Sequence, residues 1–170
     1  KQEPVHEKHQ MIMVGQTHYD LPFMGNDAEV DEDFFDIIVD DKSHSTTLFS
    51  TPNGAVGLTD HMIGMHASML VKDGGTLQMG IGAMSDAVVS ALLLRHNNNA
   101  LYRQVVDQLY ADEKLIRNYG GLAPFEKGLY GCSEMFVNGF RFLIDAGIIK
   151  RKVYDDVEAQ RRDNRGEANP

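Results

Sequence analysis

The stretch DGGTLQMGIGAMSDAVVSALL, Asp73–Leu93, decides how the rest of the chain is read. A glycine pair stops one element. TLQMGI (Thr76–Ile81) then reads as a strand, GAMS turns the chain, and Ser85 with Asp86 opens a helical pattern that runs to about Arg95. The same junction recurs in GLYGCSEMFVNGF (Gly128–Phe140), where strand-like GLYGCS meets an apolar helix pattern from Glu134 to Ala146, closed by Gly147. Before the first junction, Thr59 reads as an N-cap. Met62, Ile63, His66, Met69 and Leu70 follow at helical spacing, and Gly74-Gly75 ends that helix. Another helix-period segment spans roughly Ala100–Asn118, with Leu101, Val105, Leu109 and Leu115/Ile116 in phase. Strands alternating with helices across short turns predict an α/β layered domain with a mainly parallel sheet. Thr76–Ile81 and Gly128–Gly131 are expected to be neighbouring strands.

Composition bounds the function. The chain has 170 residues, 42% of them hydrophobic, enough for a real core. The net charge of −9 argues against nucleic acid or an anionic membrane as the main partner. A single cysteine, Cys132, forbids an internal disulfide and points to a reducing, cytoplasmic compartment. No apolar run reaches the ~18 residues of a membrane span, and no signal-peptide pattern is read. Residues Lys1–Gly25 are poorly periodic. Between Asp27 and Asp41 lie eight acidic residues and no basic one. FFDIIVD (Phe34–Asp40) inside that stretch reads as a buried strand, with acidic flanks as a solvated surface. STPNGAVGLTD (Ser50–Asp60) is a loop. The expected organisation is a preceding region over residues 1–58, an α/β core over 59–156, and a disordered tail over 157–170. The opening lysine without a methionine and the polar end suggest a piece of a longer protein.

Two kinds of group in these turns could do chemistry. Ligands of parallel α/β sheets bind at the carboxyl edge of the strands, where both turns fall. Gly80-Ile81-Gly82 would let a ligand approach the backbone, with free N–H groups of the following helix pointing outward. The motif is not a dinucleotide fingerprint, because Ser85 stands where a third glycine would be required. A tight turn without a ligand fits the same residues. Glu134 is either an acidic residue favouring a helix start or an ionised carboxylate positioned as a covalent nucleophile. Cys132 has no histidine nearby in sequence to act as its base and reads as a buried small hydrophobe. His61 and His66 are spaced i, i+5, which does not put two ligands on one helix face. His66 is expected in the Met62/Met69 stripe, His6 and His9 are terminal, and no metal site is expected. Lys150-Arg151-Lys152 could meet phosphates or form a solvated helix end.

DGGTLQMGIGAMSDAVVSALL and GLYGCSEMFVNGF, followed by AGIIKRKVYDD, resemble the acetyl-CoA hydrolase/transferase branch of the class I coenzyme A transferases. The likeness spans roughly Pro22–Asp156. It implies a class I CoA-transferase-like fold and an acyl-CoA:carboxylate CoA-transferase acting through a glutamyl–CoA thioester. An acyl-CoA hydrolase of the same family, or a non-catalytic interaction domain, stands as the alternative. By this resemblance Glu134 is the nucleophile, and Gly80, Ile81 and Gly82, with Gln78 beside them, line the acyl-CoA pocket. Coenzyme A and acyl-CoA are then substrates, with a small carboxylate as co-substrate and no permanently bound cofactor. A homo-oligomer is expected. Gly80 and Glu134 lie 54 positions apart, more than the resemblance implies. Roughly His96–Lys127 is therefore read as an insertion that covers the site or binds a partner. Further CoA-binding residues are expected outside this chain.

Overall fold

A computed structural model of the protein describes residues 11–25, 28–48, 50–52 and 54–167. The chain divides into two compact units, Lys1–Ser50 and Thr51–Pro170. It is a mixed α/β protein with two small parallel sheets and, among the described residues, six α-helices.

In the first unit, β1 (Val14–Gln16) pairs in parallel with β2 (Ile37–Val39), Val14 opposite Ile37. Carboxylates finish what so short a ladder leaves open. Asp36 accepts the Met13 N–H at 2.7 Å, and Asp40 Oδ1 accepts the hydroxyls of Thr17 at 2.7 Å and Tyr19 at 2.8 Å. Those two hydroxyls hold the Asp40 carboxyl below its ordinary range. The buried strand expected over Phe34–Asp40 is corrected on two counts. Glu32–Phe34 is a 3-10 turn, and Ile37 and Ile38 are 51% and 45% exposed. No α-helix lies among this unit's described residues, so within them no helical layer belongs to its two strands.

The second unit opens with α1 (Leu58–Met69). Its cap is Gly57, not the expected Thr59, and the Asp60 carboxylate accepts the Gly57 N–H at 2.9 Å. The expected apolar stripe is also corrected. Met62, Ile63, His66 and Leu70 are exposed, while Gly64, Met65, Ser68 and Met69 are buried. Backbone contact decides this. A Cβ on Gly64 would stand 2.6 Å from the Ala87 carbonyl carbon, so α1 lies directly on α2 (Ala83–Asn97) through its smallest face. Gly64 meets Ala87 early in α2 and the Ser68 carbonyl meets Arg95 late in it, so the two helices run in the same direction.

Between them β3 (Thr76–Gln78) pairs in parallel with β4 (Tyr130–Cys132), Thr76 opposite Tyr130 and Gln78 opposite Cys132. A parallel bridge of Leu129 to Ile149 continues the sheet beyond β4. Both strands are shorter than the sequence suggests, and α5 begins at Asn138 rather than Glu134 (Asn138–Asp145). Leu92, Leu129, Leu143 and Ile148, none of them exposed at all, form the centre of the core around this pair.

The inserted segment is not one helix but two, α3 (Asn99–Val106) and α4 (Glu113–Tyr119). Each has its own cap: Asn98 accepts the Leu101 N–H at 3.2 Å, and Asp112 accepts the Leu115 N–H at 3.0 Å. Tyr102, Val106 and Leu109 pack with Met65, Met69 and Ala91 in a second core cluster. The tail is likewise corrected. Val157–Asn164 forms α6, because Asp156 caps it through the Ala159 N–H at 2.6 Å and Glu158 pairs with Arg161 at 2.6 Å. Among the described residues no helix is long and apolar enough to cross a membrane.

Candidate functional site

The two glycine-bearing turns leave the sheet side by side. The β3–β4 register ends at Gln78 and Cys132, and the ladder gains one more bond from the Met79 N–H to the Cys132 carbonyl at 3.2 Å. The Ser133 hydroxyl then spans both turns, with the Met79 carbonyl at 2.8 Å and the Met135 carbonyl at 2.6 Å. Met79 is buried. Gly80 and Glu134 are the next residues on each strand, so the 54 positions between them in sequence close to neighbouring turns at one sheet edge.

Gly82 caps α2 at φ +132°, a conformation that L side chains rarely adopt, and a Cβ on Gly80 would meet nothing within 4 Å. Glycine is thus needed at Gly82 for its backbone, whereas Gly80 leaves open space in front of the chain. Gly80, Ile81, Gly82 and Asp86 form one wall of a shallow open depression of about 10 Å³. Val137 and Asn138 form another, and Thr51 and Pro52 complete it. That is room for about one water molecule, far below the ~300 Å³ at which small-molecule pockets begin. Neither Gly82 nor Val137, the caps of α2 and α5, makes a side-chain capping bond, so the two helix N-termini that border the depression have no side-chain cap. Their N–H groups suit a developing oxyanion, and the Asp86 carboxylate in the same wall opposes a resident anion.

Glu134 is not at a helix start. It lies in the loop between β4 and α5, four positions before Asn138, exposed and without a hydrogen bond among the described residues. It does not line the depression, although Val137 and Asn138 of the same connection do. Gln78 is exposed and sits beside Cys132, since directly paired residues of adjacent strands project to the same face. Cys132, expected to be buried, is exposed for the same reason: it ends a strand on the open face. His61 and His66 are exposed on α1, His6 and His9 fall outside the described residues, and no cluster of metal-ligating side chains occurs among the described residues. Within the basic run, Arg151 is held back on the sheet by the Thr76 hydroxyl at 2.9 Å, while Lys150 and Lys152 are exposed.

The insertion does not wall the depression. It is anchored at the opposite end of α2, whose 15 residues span about 22 Å. There the buried Arg95 gives its guanidinium to three carbonyls: Ala123 at 2.7 Å, Ser68 at 3.1 Å and Val71 at 2.6 Å. It also lies 4.3 Å over the Phe125 ring. The Ser68 and Tyr102 hydroxyls meet at 2.8 Å beside it, and burial raises the phenol's pKa. Sequence reading missed Arg95, Ser133 and Asp73. A lone arginine in an apolar helix stretch was the available signal for the first, and a serine at a strand end for the second.

No family model matches the chain, and no curated protein matches it in sequence.

Proposed function

We propose that this chain carries the nucleophile-bearing part of an acyl-CoA:carboxylate CoA-transferase of the class I type, with Glu134 as the nucleophile. The observation that carries the reading is the β3–β4 register, which brings the Gly80–Gly82 turn next to the turn holding Glu134. Apolar surface on both turns, Ile81 at 38% and Phe136 at 71% exposure, suits an acyl or pantetheine chain.

The chemistry explains why a carboxylate belongs at such an edge. The Glu134 carboxylate attacks the thioester carbonyl of acyl-CoA, forming an acyl–glutamyl anhydride and releasing CoA thiolate. That thiolate attacks the glutamyl carbonyl, forming a glutamyl–CoA thioester and releasing the first carboxylate. An acceptor carboxylate then attacks the thioester, giving a new anhydride and CoA thiolate. The thiolate attacks the acceptor's acyl carbon, which yields the new acyl-CoA and regenerates Glu134. Backbone N–H groups of the α2 and α5 termini are the candidate oxyanion donors, a contribution of roughly 3–4 kcal/mol per donor when one is removed. Gln78, Gly80, Ile81 and Gly82 line the thioester side. This reading requires further CoA-binding residues besides those named here, and it expects no CoA turnover from the 170-residue chain by itself. The outer edge of β3 carries no strand among the described residues, which supports a homo-oligomer.

The exposure of Glu134 favours one second reading, acyl-CoA hydrolysis, in which water rather than a carboxylate opens the glutamyl thioester. The test uses the full-length protein. Labelled acetate should exchange into acetyl-CoA, and borohydride after acyl-CoA should leave a mass change on the peptide containing Glu134. Glu134→Ala and Glu134→Gln should abolish both, and Glu134→Asp should cost about 100-fold because the carboxylate retreats by one methylene. CoA release without exchange would select the hydrolase. Normal turnover in Glu134→Ala would place the nucleophile elsewhere.

A further inference from the structure

At the end of β3 and β4 opposite the two turns, a single carboxylate gathers three consecutive backbone donors. Asp73 Oδ2 accepts the N–H of Glu126 at 3.1 Å and of Lys127 at 3.0 Å, and Oδ1 accepts that of Gly128 at 2.9 Å. The two backbones join at the same point. Gly74 N–H donates to the Gly128 carbonyl at 3.0 Å, and Tyr130 N–H donates to the Gly75 carbonyl at 3.1 Å. Gly128 takes φ +82°, which turns the chain out of this cradle and into β4. One side chain, beside two backbone bonds, thus holds the last residues of the insertion against the residues that lead into β3.

This placement matters because β3 and β4 are only three residues long and come from distant parts of the chain. A three-residue parallel ladder has few bonds with which to choose its register, and a slip of one residue moves a strand by about 3.3 Å and turns each side chain to the other face. Resting on the proposed role of Glu134, we propose that Asp73 is the positioning residue for the Glu134 turn: it sets the β3–β4 register from the far end of the strands and so places Glu134 beside Gly80. Asp73 touches no substrate. It acts along the six residue steps from Gly128 to Glu134, up to about 20 Å of chain, while the Ser133 hydroxyl fastens the near end.

The test separates the clamp from the chemistry. Gln78→Cys places a second thiol opposite Cys132 on the same face, within disulfide reach only in the observed register. Asp73→Asn keeps the shape but leaves one acceptor where two stood. In that background, cross-linking of the Gln78→Cys/Cys132 pair should slow at least ten-fold, and exchange of the Glu126, Lys127 and Gly128 amides should accelerate without the reporter thiol present. In the full-length protein, well below either unfolding midpoint, Asp73→Asn alone should lower kcat for CoA transfer about 10- to 100-fold with KM within about two-fold. A merely structural carboxylate would lower the midpoint and leave kcat intact. Unchanged cross-linking and amide exchange would overturn the clamp. Altered cross-linking with unchanged kcat would overturn the positioning role. A wild-type protein with no CoA chemistry would sink the reading of the site and the positioning role with it, while the register clamp would still be judged by the thiol pair.

Discussion

Two parallel strand pairs of equal length meet different fates in this chain. β1–β2 and β3–β4 each pair three residues, and each is bordered by carboxylates that accept backbone N–H groups. Around β3–β4, however, α2 and α5 press close. A Cβ on Gly139 of α5 would stand 2.7 Å from Val89 of α2, and Leu143 and Leu129 lose all exposure. In the first unit, Ile37 and Ile38 keep about half of theirs. The ladder itself is therefore not what stabilises the second pair. Burial of apolar side chains by a helical layer is, at about 25 cal/mol per Å² removed from water.

That contrast can be broken by substitution. The largest stability loss is expected from Arg95→Ala, on the order of 3–5 kcal/mol, because three carbonyls lose their donor and a cavity opens between α1, α2 and the insertion. Urea unfolding followed by far-UV circular dichroism would measure it, and a loss below about 1 kcal/mol would show that the insertion is not anchored there. Leu143→Ala should cost about 2–5 kcal/mol, whereas Ile38→Ala in the exposed pair should stay near 0.5 kcal/mol. Equal losses would erase the distinction between the two pairs.

Gly64→Ala should destabilise by about 1–3 kcal/mol through collision with the Ala87 carbonyl, while Gly80→Ala, facing open space, should leave the unfolding midpoint nearly unchanged. Acid should sharpen the comparison further. Burial pushes the Asp73 carboxyl up, but the N–H groups of Lys127, Gly128, Glu126 and Gly74 together outweigh it and hold its pKa below the ordinary value. Its contribution is thus fully present above about pH 3.9 and is lost as pH falls through the lowered folded value. Wild-type stability should fall across that window more steeply than that of Asp73→Asn. Parallel pH curves would mean that the carboxylate contributes nothing through its charge. The smallest effect is expected from Glu158→Ala on the exposed α6 pair, within about 0.5 kcal/mol.

Much of this was legible in local chemistry. The glycine turn at Gly80–Gly82, the end of α5 before Gly147 and the alternation of strand and helix all rest on residues within a few positions of one another, although α2 starts at Ala83, capped by Gly82, rather than at Ser85 as expected. The Asp156 cap of α6 was equally local, and composition alone concealed it. The sequence could not reveal which side of α1 is buried. Its apolar spacing favoured Met62 and Ile63, but contact with Ala87 selects the face bearing Gly64 and Ser68. Nor could it reveal that Glu134 stands in a loop, because helical periodicity persists through a segment that bends at Glu134 and Met135, where the Ser133 hydroxyl bonds the Met79 and Met135 carbonyls.

The residue types in the two turns, and so the chemistry they could support, were determined by the sequence alone. Their meeting was decided by the tertiary structure. Partners 54 positions apart carry no mutual periodicity, and a ladder of three residues takes its register from what borders it: the Asp73 cradle at one end, the Ser133 bridge at the other, and the helices that bury one face.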